Sequence, residues 1–201
     1  GKVSSAVQKK IKKYNAPKGY SITMKGEMES IQETTGQIGL MLLLAVAFMY
    51  LIMVAQFQSL KSPFIILFTI PMAFTGGFLG LLLTGKDLSA IAMIGFVMLA
   101  GIIVNNGIVL VDTINQLRES GYEFEEAILT AGTMRVRPIL MTALTTILGL
   151  STMAIGLGQG AEMMQPMAIV TIGGLIYGTL LTLLVVPCIY GLFNRRKKKA
   201  E

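Results

Sequence analysis

Five runs of mostly apolar residues, each long enough to cross a lipid bilayer, constrain the fold of this chain most. They lie at residues 38–57, 62–84, 89–114, 138–155 and 166–193. A helix rises about 1.5 Å per residue, so about 20 residues cross a hydrocarbon core of roughly 30 Å. With 53% hydrophobic and 14% charged residues, the chain is also too apolar for a typical soluble domain. The sequence predicts an all-α polytopic membrane protein whose five transmembrane helices form a bundle over residues 36–194.

The positive charges lie mostly on one side of this predicted bundle. A basic tail at residues 195–201 follows the last span and contains Arg195, Arg196, Lys197, Lys198 and Lys199. The same side also receives Lys61, Arg118, Arg135 and Arg137. The short loops of the opposite side receive only Lys86. By the positive-inside rule we expect a cytoplasmic C-terminus, an extracytoplasmic N-terminus and a tail that anchors the topology at the lipid surface. The net charge of +6 therefore indicates a membrane surface rather than nucleic acid.

Residues 1–35 are too few to form a domain. Val3–Tyr14 has the apolar stripe of an amphipathic helix, Tyr20–Met24 alternates like a short strand, and Glu27–Gln37 continues as helix into the first span. Because an isolated strand leaves both edges unpaired, we expect a small α/β remnant from the C-terminal end of a larger extracytoplasmic domain. A solvated collar is the alternative. The start at Gly1, without Met or a signal peptide, indicates a processed or excised chain.

A short amphipathic segment separates the third and fourth spans. Phe124, Ala127 and Ile128 share one helical face, and the neighbouring glutamates lie largely on the other. Gly121 and Gly132 flank the segment and would separate it from the spans. The pattern predicts a short helix that lies along the cytoplasmic membrane interface.

The third and fourth spans carry polar side chains at membrane depth. Asn105 and Asn106 are adjacent in the third span, and Arg135 and Thr142 lie seven residues apart, on one face of the fourth helix. Such groups cost free energy unless they are satisfied, so they mark a pathway or an interhelical contact. Together the two faces would form a polar seam that could carry protons through hydroxyls and water. Neither Asn nor Arg can be the titrating carrier, so a carboxylate would have to come from elsewhere. Ordinary hydrogen bonds between helices are the alternative.

Other chemistries find less support in the sequence. Fourteen methionines could offer a thioether path for Cu(I), but methionine is also an adaptable filler of apolar contacts. The chain has no His and a single cysteine, Cys188, so we predict no metal site and no cofactor. It also lacks a nucleophile–base pair and a nucleotide-binding loop, so we do not expect an enzyme.

Two stretches of the chain closely resemble the second half of the resistance-nodulation-division (RND) multidrug exporters. They are GIIVNNGIVLVDTINQLRESGYEFEEAI and AGTMRVRPILMTALTTILG, and the resemblance extends through QFQSLKSPFIILFTIPMAFTGG and VTIGGLIYGTLLTLLVVPCIYGLF. Members of this family have twelve spans in two homologous halves, each half with a large porter domain, and work as proton-driven trimers. The resemblance covers nearly the whole chain. It implies spans eight to twelve, preceded by the last helix and strand of the porter region.

The resemblance also implies roles for the polar residues. The family's proton site pairs acidic residues on span four with a polar or lysine position on span ten and with an arginine and a threonine on span eleven. By motif position these are Asn105, Arg135 and Thr142, with Asn106 beside them as a further member of the relay. Asn105 stands where some members have lysine. The acidic partners would belong to a missing N-terminal half of the transporter. Homotrimer formation, a periplasmic adaptor and an outer-membrane channel are further implied partners.

Three functions remain open at this point. The leading one is part of a proton-driven exporter of amphiphilic or hydrophobic compounds across the cytoplasmic membrane. The second is a Sec-type protein-export accessory of the same superfamily, and the third is a membrane fragment inactive in transport. The MRVRPILMT segment and the paired asparagines favour the exporter. The implied location of the substrate pockets, in the porter domains, leaves the substrate undetermined.

Overall fold

The structure of the chain is a computed structural model that describes residue 11, residues 27–158 and residues 160–194. Within residues 27–194 the helices are α1 (Glu27–Phe57), α2 (Lys61–Leu67), α3 (Thr69–Thr84), α4 (Ala90–Glu119), α5 (Phe124–Ile155) and α6 (Ala161–Asn194). Five segments are long and apolar enough to cross a membrane, with α2 and α3 together forming the second. The described residues thus contain the five long apolar helical segments that the sequence predicts.

The prediction of a helix and a strand at the N-terminal end is confirmed only for the helix that leads into the first span. Glu27–Gln37 is helical and continuous with the first span, as predicted. The described residues contain no strand, so the α/β character of the remnant finds no support in them. The predicted strand at Tyr20–Met24, the basic tail at 195–201 and all of Val3–Tyr14 except Ile11 lie outside the described residues.

The second span is interrupted at Phe68, where α2 ends and α3 begins. Pro71 accounts for the position of the break. A proline lacks the backbone N–H and its ring clashes with the carbonyl four residues earlier, which here belongs to Leu67, the last residue of α2. The Thr69 hydroxyl donates to the Ile66 carbonyl at 2.6 Å and so satisfies a backbone acceptor close to the break.

The predicted interfacial helix is wrong as a separate element. Its residues form the first turns of α5, which runs from Phe124 to Ile155 without a break at Gly132. A glycine inside a helix costs only about 1 kcal/mol relative to alanine, which is too little to end it. Packing favours the continuous helix, because Ala127 and Ala131 are fully buried against the bundle. The fourth transmembrane segment therefore begins about four turns before Pro138.

The core of the bundle is formed by α3, α4 and α6. The long helix α6 packs against α3, α4 and α5. In the most apolar stretch of α4, 56% of the residues are buried, against 11% for α1 and 11% for α5. These two outer helices therefore present most of their surface away from the rest of the chain.

Glycines set the distance between α3 and α6. A Cβ atom added to Gly76 would lie 2.5 Å from the Cβ of Tyr177 and 2.8 Å from the carbonyl oxygen of Gly173. A Cβ on Gly173 would lie 2.8 Å from the carbonyl oxygen of Gly76. The two backbones are thus in direct contact, which is how small residues hold membrane helices together.

Lys86 and Gln165 connect a loop to the start of α6 at the end of the bundle opposite Arg118 and Arg135. The Lys86 ammonium donates to Oε1 of Gln165 at 2.8 Å. The contact joins the segment between α3 and α4 to the first turns of α6. Both groups are exposed, so the hydrogen bond fixes loop geometry more than it adds stability.

The other end is held by a polar and aromatic cluster around Tyr190. The Tyr190 side chain is 2% exposed, and its hydroxyl donates to Oδ1 of Asn115 at 2.6 Å. A guanidinium N–H of Arg118 approaches the same hydroxyl at 3.5 Å, and Arg118 also lies 5.3 Å from the centre of the Phe124 ring. The Phe124 and Tyr190 rings are stacked at 6.3 Å. These contacts join the last turns of α4 and α6 to the start of α5.

Replacing Tyr190 with Phe should lower the thermal stability of the bundle. The change keeps the ring and removes the hydroxyl, so Asn115 loses its donor, at a cost of about 1 kcal/mol or slightly more. Thermal unfolding of the purified protein in detergent measures the effect. Tyr177→Phe is the matched control, because Tyr177 lies on the same helix with 40% of its surface exposed. Equal midpoints for the two variants would show that the Tyr190 hydroxyl contributes nothing.

Candidate proton-relay site on α4 and α5

Arg135 forms a direct side-chain hydrogen bond between α4 and α5. Its Nε donates to the hydroxyl of Thr113 at 2.7 Å. Thr113 is only 4% exposed, and its hydroxyl donates in turn to the Val109 carbonyl at 2.8 Å. A continuous chain of hydrogen bonds therefore runs from the half-buried guanidinium into the backbone of α4. Within the described residues the guanidinium has no carboxylate partner.

The contact between Arg135 and Thr113 fixes the register of the two helices, which run antiparallel. Asn106 lies seven residues before Thr113, and Thr142 lies seven residues after Arg135. Both are therefore displaced from the contact in the same direction, by about 10 Å along the helix axes. The predicted relay residues occupy two levels, with Arg135 nearer the end of the bundle and Asn105, Asn106 and Thr142 deeper.

The adjacent asparagines face different surroundings. Successive residues of a helix point about 100° apart, and here Asn105 is exposed whereas Asn106 is 6% exposed. Thr142 is exposed too, and its hydroxyl donates to the Ile139 carbonyl at 2.9 Å. No hydrogen bond joins the four predicted residues to one another in the described part of the chain. Asn105 and Thr142 instead lie on surfaces that the described residues leave open.

Thr113 is the site residue that the sequence analysis missed. The neighbouring Asp112 lies seven residues after Asn105. In the structure Asp112 accepts a hydrogen bond from Nε2 of Gln116 at 2.8 Å, and Arg135 bonds to the neighbouring threonine. The available signal was that Thr113 lies seven residues after Asn106, which places both on the buried face of α4.

The exposed side of α5 carries most of its polar residues. The buried positions of this helix are Ala127, Ala131, Ile139 and Ala143, which recur at helical spacing on one stripe. Thr142 and Arg137 are both exposed. The stripe toward the bundle is therefore made of small and apolar residues except at Arg135, which lies midway along it, is half-buried and contacts α4.

Comparisons with known proteins show which family this chain resembles. Residues 1–194 match the AcrB/AcrD/AcrF family. The swarming motility protein SwrC of Bacillus subtilis is 42% identical over 98% of this chain, and the cobalt-zinc-cadmium resistance protein CzcA of Cupriavidus metallidurans is 38% identical over 98%. The chain spans about a fifth of the length of these relatives, 19% of SwrC and 18% of CzcA.

A solved structure gives the same result for the fold. The crystal structure of a heavy metal efflux pump superposes with a TM-score of 0.82 at 30% identity, covering 96% of this chain and 19% of the pump. The family match extends over nearly all of the chain, and the five membrane-spanning helices accord with a multi-pass membrane protein. The chain belongs to the AcrB/AcrD/AcrF family of RND efflux transporters.

Proposed function

We propose that this chain supplies the polar, cationic side of the proton site in a proton-driven RND efflux transporter. The observation that carries the proposal is the Arg135–Thr113 hydrogen bond at the edge of an open helix surface. Asn105 and Thr142 lie exposed on the same two helices, about two turns deeper. The arrangement offers donors and a positive charge to a partner element that this chain does not contain.

The chemistry of the Arg135 guanidinium determines which chemical group the partner element must supply. Arg stays protonated at any accessible pH, and a charge at membrane depth is stabilised by an opposite charge or by several hydrogen bonds. Thr113 provides one acceptor, which leaves most of the five guanidinium N–H groups of Arg135 free for a carboxylate. The partner is therefore an acidic element of the N-terminal half of the transporter.

Protonation of that carboxylate would change the contacts of Arg135. A carboxylate accepts hydrogen bonds from the guanidinium, whereas the neutral acid loses its charge and becomes a donor. Asn105 and Thr142 supply uncharged groups that hydrogen-bond to either form. Loading and unloading of a proton would thus shift α4 and α5 relative to the partner helices and drive the porter domains.

We also propose an orientation in the membrane, an oligomeric state and partner proteins for the complete transporter. The N-terminus lies outside the cytoplasmic membrane and the basic tail, Arg195–Lys199, binds anionic lipid on the inside. The complete transporter is a homotrimer that works with a periplasmic adaptor and an outer-membrane channel where the cell has an outer membrane. The family match favours the exporter over the Sec-type accessory.

For the substrate we propose amphiphilic or hydrophobic compounds, with divalent metal cations as the second candidate. The second candidate rests on the names of two relatives, the cobalt-zinc-cadmium resistance protein CzcA and the nickel-cobalt-cadmium resistance protein NccA. They are 38% and 35% identical to this chain. SwrC, at 42% identity, is named for swarming motility.

Transport by the complete protein in proteoliposomes tests the proposal. Export of a lipophilic cationic dye should depend on an imposed proton gradient and should stop when an uncoupler dissipates it. Zinc and cobalt ions, assayed in the same vesicles, test the second substrate class. Gradient-dependent transport of metal ions without dye transport would overturn the amphiphilic substrate. Transport that continues after the gradient is dissipated would overturn the proton-driven mechanism.

A further inference from the structure

Three buried polar atoms near the middle of the bundle have no hydrogen-bond partner in the described protein. They are Nδ2 of Asn106 and the hydroxyl oxygens of Thr179 and Thr182. The side chains are 6%, 3% and 0% exposed, so helices from elsewhere cannot reach them. A buried donor or acceptor without a partner has lost its hydrogen bonds to water and gained none in return, so three such groups are destabilising unless something satisfies them.

Thr179 and Thr182 differ from most of the other described threonines of the bundle. In membrane helices a threonine hydroxyl usually donates to a carbonyl three or four residues earlier. Ten threonines in the described helices do so: Thr69, Thr75, Thr84, Thr113, Thr133, Thr142, Thr145, Thr146, Thr152 and Thr171. The hydroxyls of Thr179 and Thr182 make no such bond. They are therefore directed toward something other than the backbone of their own helix.

The register of α4 and α6 places the three groups at one level. Tyr190 bonds to Asn115, 75 positions earlier. Gly178 faces Ile103 with the same separation, because a Cβ on Gly178 would lie 2.8 Å from Cδ1 of Ile103. The two helices are thus parallel and keep one register over this length. By that register Asn106 lies between the levels of Thr179 and Thr182, about 3 Å or less from each along the axis.

The same contacts show which way the groups face. Thr182 lies four residues after Gly178 and eight before Tyr190, both of which contact α4, so it belongs to the α4-facing stripe of α6. Thr179 is one turn earlier on this stripe. On α4, Asn106 lies three residues after Ile103, which faces Gly178. The three unpaired groups therefore converge between α4 and α6.

The donors and acceptors decide what kind of ligand fits. The Asn106 amide nitrogen is a donor only, so a metal cation cannot satisfy it, and each threonine hydroxyl can donate and accept. An anion would need a fixed positive charge, and Arg135 bonds to Thr113 about two turns away. Water accepts from the amide, donates to a hydroxyl and typically makes about three hydrogen bonds when buried.

We propose that Asn106, Thr179 and Thr182 form an internal water-binding site between α4 and α6. The site is separate from the exposed surface that carries Asn105, because Asn106 faces the interior of the bundle. The adjacent asparagines then have different roles. Asn105 is exposed and available to a partner element, whereas Asn106 is joined to α6 through water. The proposal stands independently of the transport mechanism proposed above.

Radiolytic hydroxyl labelling of the intact membrane protein that contains this chain tests the site directly. Radiolysis of a bound water oxidises side chains beside it even when bulk solvent cannot reach them. Ile103 is fully buried and lies one turn from Asn106, so it should be labelled in the wild-type protein. In the Thr179→Val/Thr182→Val double variant its labelling should fall several-fold. An unlabelled Ile103, or equal labelling in both proteins, would overturn the proposal.

The sign of a stability change gives a second, independent test. Without water, Thr182→Val removes an unpaired hydroxyl at nearly constant volume and should raise the midpoint of thermal unfolding. With water bound, the same change deprives the water of a partner and should lower it, whereas Thr182→Ser should retain the wild-type midpoint. A raised midpoint for Thr182→Val would contradict the water site.

Thr171→Val is the control for the radiolytic labelling experiment. The Thr171 hydroxyl donates to the Met167 carbonyl at 2.8 Å, so its removal should leave the labelling of Ile103 unaffected.

Discussion

Replacing Arg135 with Ala should strongly reduce proton-driven efflux by the complete transporter without lowering its abundance in the membrane. The substitution removes the donor to Thr113 and the positive charge that the proposed carboxylate partner requires. A hydrogen bond to a charged group contributes about 1.5–3 kcal/mol, which corresponds to a transport rate lower by roughly 10-fold to 100-fold. Efflux of the dye from energised vesicles, normalised to protein by immunoblot, is the measurement.

Two companion variants separate charge from geometry. Arg135→Lys keeps the charge but loses the planar set of donors, so it should retain partial transport. Arg137→Ala removes an exposed arginine two residues further along the same helix and should transport normally. Wild-type efflux by Arg135→Ala would remove this residue from the proton site. Equal losses in Arg135→Ala and Arg137→Ala would show that only the net charge at this end of the bundle matters.

Much of the fold followed from the sequence because lipid restricts the possible structures. Only helices satisfy all their backbone groups within a single segment, so apolar length alone located the five spans. The break at Phe68 was not predicted, although Pro71 was visible inside the span. The helix also continued through Gly132, where the sequence analysis placed a separation. Both errors concern helix ends, where one residue's backbone preference competes with the packing of several neighbours.

The candidate site was less accessible to sequence reasoning because it depends on which helix faces meet. Spacing along one helix placed Arg135 and Thr142 on one face of the fourth span, but it could not show that Thr113 would receive the guanidinium while Thr142 stays exposed. The sequence analysis also treated Asn105 and Asn106 as one pair. Their exposures, one exposed and one buried, follow from the contacts of α4 with α6, which are separated in sequence by more than 70 residues.

Replacing Gly76 with Ala should destabilise the bundle more than a single methyl group would normally suggest. The new Cβ would meet the Tyr177 Cβ at 2.5 Å and the carbonyl oxygen of Gly173 at 2.8 Å. Rotation of a side chain cannot relieve these contacts, because one involves the backbone and the other an atom attached directly to it. Overpacking of this kind costs about 1–3 kcal/mol, and α3 must also move away from α6 along its whole contact. Thermal unfolding and membrane abundance of the intact protein measure the loss.

The matched control for this prediction is Gly39→Ala. Gly39 also lies inside a long apolar helix, α1, but a Cβ built on it meets nothing within 4 Å. Alanine is favoured over glycine in a helix by about 1 kcal/mol, so this variant should keep or raise the unfolding midpoint. Gly76→Ala gains the same backbone preference and should still lose stability, which assigns the loss to the contact with α6. A stable Gly76→Ala variant would show that α3 and α6 separate at little cost, and the close approach of their glycines would then not hold the core together.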